Sequence, residues 1–521
     1  MRVTFLGHVG MYVETEGGSV LCDPWFNPAY FGSWFPFPRN DRLDVEPFSH
    51  PDYLYISHLH RDHFDPDWLG VHVDKSATVL LPAFELDHLE RALRGLGFTE
   101  FVRTENAKPV SLGALEVAII SMTSPADGPA GDSALVLADS SARILNQNDA
   151  RPRDMDDLEA LGPFDAHFTQ FSGAIWYPMV YDFPAAEKHV LGMRKRADQM
   201  ERAVHYLRDI GARHLFPVAG PPCFLDDDLF AANDLGDDPS NIFPDQTVFL
   251  DVLDDEGISG GELLVPGSIV EFTRDGCTLI QPTGELAPDF IFGDKRAYLE
   301  SYQTDYADWL QEERDSWGKK QVDVVGALRD WFEPLLEMAP LTRAGIGAPV
   351  LMTLMDKKSD TELRVVIDFP SGEVREWAGE ECPFHLEFAR ELAEVLIDDR
   401  TEDWVNRLFL SCRFTAHRDG PYNEYVYTFF KSLSVERMAY CEGYYSSRVE
   451  AGTEWFRCGN YKVQRRCPHL RADLERFGVE RDGVLECRVH HWQFDLETGR
   501  CLTSDDDEHR LHTERVDGSE K

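Results

Sequence analysis

Short apolar runs separated by glycine-bearing turns dominate the first half of the chain. Val3–Leu6, Met11–Glu14 and Ser19–Cys22 read as strands turning at Glu16-Gly17-Gly18. Tyr53–Ser57 predicts a further strand that runs straight into a histidine-rich loop. His88–Leu96 has helical period, Glu100–Arg103 reads as a strand, and Ser133–Ala138 with Arg143–Asn146 predict a strand pair. Glu187–Ile210 combines helical period with mixed charge. Strands with helices between them fit a layered α/β unit over residues 1–250.

The pattern changes beyond that point. Residues 251–295 are acidic and glycine-containing, with short strands such as Ser268–Thr273, and read as a connector with its own hairpins. Residues 296–445 carry amphipathic helices, including Val322–Met338 and His385–Ile397. Leu363–Phe369 and Val374–Trp377 predict a hairpin around Pro370-Ser371-Gly372. The expectation for 251–445 is a connector followed by an α+β region that packs or shapes a substrate pocket. Residues 446–505 read as a small all-β unit, and 506–521 as a charged tail. A chain of 521 residues holds several such domains.

Charge narrows the partners. Lys and Arg number 51 against 93 Asp and Glu, a net charge of −42 that repels phosphate backbones and anionic membranes. No apolar stretch is long enough to span a bilayer, and Met1-Arg2 leads directly into a strand without a signal-peptide pattern. The ten cysteines lack disulfide-scaffold spacing. The expectation is a cytoplasmic protein that binds neither nucleic acid nor membrane.

Two motifs carry chemistry. In Ser57-His58-Leu59-His60-Arg61-Asp62-His63, His58 and His60 reach one ion from a strand end, and Asp62 and His63 reach a second as the chain turns. Imidazole and carboxylate suit zinc, iron or manganese. Asn146-Gln147-Asn148-Asp149 ends a further strand with a carboxylate. The second motif is Cys467-Pro468-His469, then 17 residues, then Cys487-Arg488-Val489-His490. Such a set can hold a [2Fe–2S] cluster, with two thiolates on one iron and two imidazoles on the other. The competing reading is a Cys2His2 zinc site, whose ligands pair Cys with Cys and His with His, whereas each pair here mixes them.

The first motif resembles the metallo-β-lactamase superfamily. Asp23-Pro24-Trp25 stands where that family places an Asp supporting the metal loop, and Gly7-His8-Val9-Gly10 sits in the first turn. The resemblance implies an αββα sandwich, with Asp149 in the place of the family's Asp that bridges two metals, where a carboxylate offsets the repulsion between the cations. The family's third-motif His is replaced by Ser121-Met122-Thr123-Ser124-Pro125-Ala126-Asp127, and its last His by Phe216-Pro217-Val218-Ala219-Gly220-Pro221. Asp127, His167 and His214 are the candidates to fill the vacated ligand places. The second motif, with Trp492, Phe494 and Gly499, resembles Rieske domains.

The pairing resembles the CMP-N-acetylneuraminate hydroxylase family, which joins the same two domains but carries its Rieske domain at the N-terminus. It implies an O2-dependent monooxygenase acting by hydroxylation or N-oxygenation on a small polar substrate, a nucleotide-linked sugar or an amine. The catalytic metals would be two irons held by His58, His60, Asp62, His63 and Asp149. The cluster ligands would be Cys467, His469, Cys487 and His490, with His469 and His490 on the exposed edge. A ferredoxin or cytochrome-type donor with its reductase would supply electrons, docking near Arg465, Arg466 and Arg471. The rival readings are a redox-regulated hydrolase with zinc in the first site, a reductase of O2 or NO, and a non-enzymatic electron carrier, which leaves the His58–His63 cluster without a role.

Overall fold

Apolar residues on opposite faces of the same strands dictate the first layer. In Gly18–Cys22, Val20 and Cys22 point one way and Leu21 the other; in Tyr53–Tyr55, Leu54 and Tyr55 divide likewise. The computed structural model describes all residues except 174–175, 237, 275, 319–321, 357–358, 448–453, 470, 490, 505–508 and 517–521. It places these strands in an eight-stranded sheet ordered Gly276–Ile280, Ile269–Thr273, Arg2–Gly7, Gly10–Thr15, Gly18–Cys22, Tyr53–Tyr55, Thr78–Leu81 and Phe101–Arg103. The hairpin at 269–280 pairs with Arg2–Gly7, so this sheet reaches past residue 250.

A six-stranded sheet runs His214–Val218, Ala166–Gln170, Arg143–Asn148, Asp132–Ala138, Leu115–Met122 and Val110–Leu112. The two sheets face each other across Val3, Phe5, Val20, Leu135, Ile144 and Phe168. Helices Pro66–His72 and His88–Gly95 cover the outside of the first sheet, and Ala185–Ile210 with Gln246–Asp255 flanks the second. This is the αββα layering of the metallo-β-lactamase fold.

The middle region has a five-stranded sheet, ordered Glu373–Glu376, Thr361–Asp368, Pro349–Asp356, Phe384–Ala389 and Phe414–Arg418. The expected helix from His385 to Ile397 is half strand. Phe384–Ala389 pairs in parallel with Pro349–Asp356, and the helix occupies only Arg390–Asp398. The apolar period of Leu392, Ala393, Leu396 and Ile397 belongs to the helix alone, while pairing with the neighbouring strand decides the residues before it.

This region is not an appendage. Its core residues Leu328, Phe332, Trp404 and Phe429 form one cluster with Trp25, Tyr30, Phe31 and Trp34 of the first domain. Asp226 fastens the junction: fully buried, it accepts from Arg413 at 2.8 Å and from Arg314. Burial pushes its carboxyl up, but the two guanidiniums outweigh burial and hold it down to about 2. A carboxyl depressed in the fold stabilises above its ordinary value of 3.8, and the contribution is lost as pH falls towards about 2. Asp226→Asn leaves two cations with a neutral partner and is expected to cost about 3–5 kcal/mol. Thermal unfolding of both proteins at pH 7 and at pH 3 checks this: the gap must narrow in acid, and an equal gap at both pH values refutes the account.

The C-terminal unit consists of two three-stranded sheets, Trp455–Cys458, Tyr461–Gln464 with Thr513–Arg515, and Gly478–Arg481, Val484–Cys487 with Trp492–Asp495. Its core residues Phe477, Leu485, Val489 and Phe494 merge with Ala118, Ile120, Val136 and Leu145 on the outer face of the six-stranded sheet. The last domain thus covers a face of the first. No helix among the described residues is long and apolar enough to cross a membrane.

Candidate metal centres

The first site grows from the end of Tyr53–Tyr55. Asp23, in a left-handed turn at φ 38°, accepts from the Ser57 amide at 2.7 Å and meets His63 Nδ1 at 3.2 Å. It fixes the loop and the His63 ring together, as the sequence leads one to expect. Asp65 caps the helix Pro66–His72 and closes the loop's far end. His63 Nε2 then lies 3.6 Å from both Asp62 Oδ2 and Asp149 Oδ1, and His58 Nδ1 lies 4.0 Å from Asp149 Oδ1.

The five side chains expected as ligands come together, and His8 joins them. His8 Nε2 is 3.0 Å from Asp62 Oδ2. Ligand atoms form two groups, His8, Asp62 and His63, and His58, His60 and Asp149, each within 4.8 Å. Asp149 Oδ1 faces His63 of one group and His58 of the other, the place of a bridge. His58 Nε2, His63 Nε2 and Asp149 Oδ1 are buried and lack hydrogen-bond partners. Nitrogen and oxygen donors converging unsatisfied is what a cation site requires.

Charge is distributed unevenly in this cluster. Burial opposes a charge on His63, yet Asp149, Asp62 and Asp23 outweigh it and raise its pKa to about 10. Burial and the neighbouring His63 push His58 down to about 4, and burial with His58 and Lys431 depresses His60. Burial would raise Asp62, but His63 and His8 hold it well below the carboxylate range. Asp132, 3.4 Å from His58 Nδ1, is raised by burial and by Asp149.

The three candidates for the vacated ligand places stand elsewhere. Asp127 is bound by Arg153 and Ser124. His167 is buried against Gln147 at 2.9 Å, its pKa pushed down to about 3 by burial. His214 opens the strand His214–Val218, whose far end approaches the site through Ala219, and it pairs with Glu262 at 3.1 Å. His8 and Asp132 take positions nearer the metal loop. The signal for His8 was the Gly7-His8-Val9-Gly10 turn, whose φ of 54° swings the ring inward; Asp132 had none.

At the second site Cys467 and Cys487 are both buried, each on a tight loop closed by Arg471 N–H to Cys467 O and His491 N–H to Cys487 O. His469 stacks on Trp492, with ring centroids 3.9 Å apart and planes at 10°. His490 lies outside the described residues. The expected exposed edge is not seen at His469: it is 4% exposed, and its Nε2 bonds the buried Glu424 of the middle region. The basic docking patch is also largely spent, since Arg465 pairs with Asp473 and Arg466 with Asp154.

Residues 457–513 match the Rieske [2Fe-2S] domain, and 324–447 match the Rv3818-like, SCP2-like domain. Over 513 residues the chain is 46% identical to a protein of Mycolicibacterium smegmatis and 45% identical to one of Mycobacterium tuberculosis, covering 97% of this chain and 98% of each. Both are named as Rieske 2Fe-2S iron-sulfur proteins. The chain belongs to their family. Among solved structures, an isothiocyanate hydrolase from Delia radicum gut bacteria is 11% identical, with a TM-score of 0.38 over 52% of this chain and 100% of that one. CmlA, a diiron beta-hydroxylase from Streptomyces venezuelae, is 18% identical, with a TM-score of 0.33 over 50% of this chain and 52% of its own. At such scores neither likeness speaks to chemistry. What membership of the Rieske family does establish is a [2Fe–2S] domain at the C-terminus, and with it a part in electron transfer.

Proposed function

We propose that the protein is an O2-dependent oxygenase in which the Rieske domain feeds electrons to a non-haem di-iron site, hydroxylating or N-oxygenating a small polar substrate. His8, His58, His60, Asp62, His63 and Asp149 would hold the iron pair; Cys467, His469, Cys487 and His490 would hold the cluster. When bound, the cluster supplies single electrons and the iron pair supplies O2 activation, whereas zinc in the first site would leave those electrons without a use.

The helix Glu424–Lys431 carries the reading. Asn423 caps it, and Glu424 in its first turn bonds His469. Lys431 in its last turn is 2% exposed, donates to Ala126 O at 3.3 Å, and acts electrostatically on His60. Eight residues at ~1.5 Å each put its ends about 10 Å apart. One short rigid element therefore bonds His469 of the second centre and brings a cation into the field of His60 in the first. Asn406 of the same region also donates to Leu59 O at 2.9 Å, inside the metal loop. The middle region thus reaches the metal loop directly.

Protein purified without oxygen should contain about four irons and no zinc per chain. With a reduced ferredoxin and candidate substrates it should consume O2 in proportion to product. About two irons with about two zincs, and turnover that ignores O2, would instead establish the redox-regulated hydrolase.

A further inference from the structure

In a chain so acidic, cations without partners stand out. Lys195, Gln199 and Arg202 lie at i, i+4 and i+7 on the helix Ala185–Ile210 and so share one face. Arg202 is 4% exposed and has neither a hydrogen bond nor an ion pair. Gln199 is 1% exposed, and both its amide atoms are unpartnered. It presses so closely on Gly173 that a Cβ there would fall 1.7 Å from its Nε2. Lys195 is also unpaired, and so is Arg151, whose field reaches both Lys195 and Arg202. The carboxylate that acts on both Lys195 and Arg202, Asp198, is shared by Arg488, His491 and Arg194, and its neighbour Glu486 is taken by the same three.

The cluster lies between the two centres. Arg151 is two residues beyond Asp149, and Gly173 follows the strand Ala166–Gln170, which runs parallel beside Arg143–Asn148. On the other side the cluster faces His491, whose Nε2 is buried without a partner and which adjoins His490. We propose that Arg151, Lys195, Gln199 and Arg202 form an oxyanion site that holds a phosphoryl group of the substrate. One buried and two half-buried cations, with the buried Gln199 amide among them, suit a dianion better than a single carboxylate, and guanidinium with amide donors suits phosphate oxygens. Burial, then Arg151 and Arg202, depress Lys195 to about 7, which shows how poorly the cluster is neutralised within the protein. In calling the ligand a substrate, this rests on the oxygenase reading; the oxyanion site itself stands on the geometry.

The test is thermal unfolding of the metal-loaded full chain with inorganic phosphate or glycerol 3-phosphate, against sodium chloride of equal ionic strength. The parent protein should gain roughly 2–4 °C near saturation. Arg202→Gln should lose that gain yet unfold no lower than the parent without phosphate, because it removes an unpaired buried charge. Lys195→Met should weaken the response at least tenfold, by about the factor one lost charged partner commands. No gain in the parent, or an undiminished gain in Arg202→Gln, overturns the site. Glycerol 3-phosphate binding tighter than inorganic phosphate supports a substrate handle; equal binding overturns that assignment and leaves a free-phosphate site. Zinc in the first site alongside an intact phosphate response would sink the oxygenase and spare the oxyanion site.

Discussion

His63→Ala will empty the N-terminal metal centre while the Rieske cluster keeps its electron paramagnetic resonance signal. The His63 ring is fully buried, held at Nδ1 by Asp23, with Nε2 at 3.6 Å from both Asp62 and Asp149. It is the side chain through which the two groups of donors meet. Its loss removes one ligand and leaves the carboxylates facing one another without their cationic neighbour. Asp23→Asn tests the same geometry one step out. A carboxylate that orients a ligating imidazole is worth about 10–100-fold in metal affinity, and removing the ligand itself must cost more. The expected order of retained metal is therefore parent, then Asp23→Asn, then His63→Ala, read by metal analysis after dialysis against a weak chelator. His8→Ala falls between the last two if His8 is the sixth ligand. Full metal occupancy in His63→Ala would mean that the unsatisfied buried atoms serve something other than a cation.

Much of this centre was legible before any fold was known, because its ligands are clustered in sequence. His58, His60, Asp62 and His63 occupy one loop, and Asp149 follows a strand whose apolar run is plain. What the chain conceals is what arrives from a distance. Lys431 and Glu424 sit on an ordinary amphipathic helix, and nothing in their local pattern says that one end meets His469 and the other the surroundings of His60. The Rieske domain hides its position in the same way. Its motif is complete over 467–490, but its packing on Ala118, Ile120 and Val136 depends on the outer face of a sheet made some 300 residues earlier. The segment His385–Ile397 has the same origin: period alone starts the helix about one and a half turns too early, and the parallel neighbour Pro349–Asp356 makes its first part strand.

Glu424 is where the concealed part becomes testable. A ligand imidazole whose outer nitrogen bonds a carboxylate is fixed in orientation and made more basic, and losing such a partner typically costs 10–100-fold in activity. The carboxylate also has an electrostatic consequence with a definite sign. Negative charge beside the cluster favours its oxidised, more positive form, so removing it raises the reduction potential and makes electron delivery less downhill. Glu424→Leu should keep both centres loaded, shift the cluster potential upward, and slow reoxidation of the reduced cluster by the first centre about 10–100-fold. Glu424→Gln keeps the shape of the side chain and the hydrogen bond but not the charge, so it should show the potential shift with a smaller loss of rate. A structural effect alone would lower metal content or melting temperature and leave the potential of the surviving clusters where it was. An unchanged reoxidation rate in Glu424→Leu, with both centres intact, would mean that electrons do not pass along this helix and that the two centres serve separate reactions.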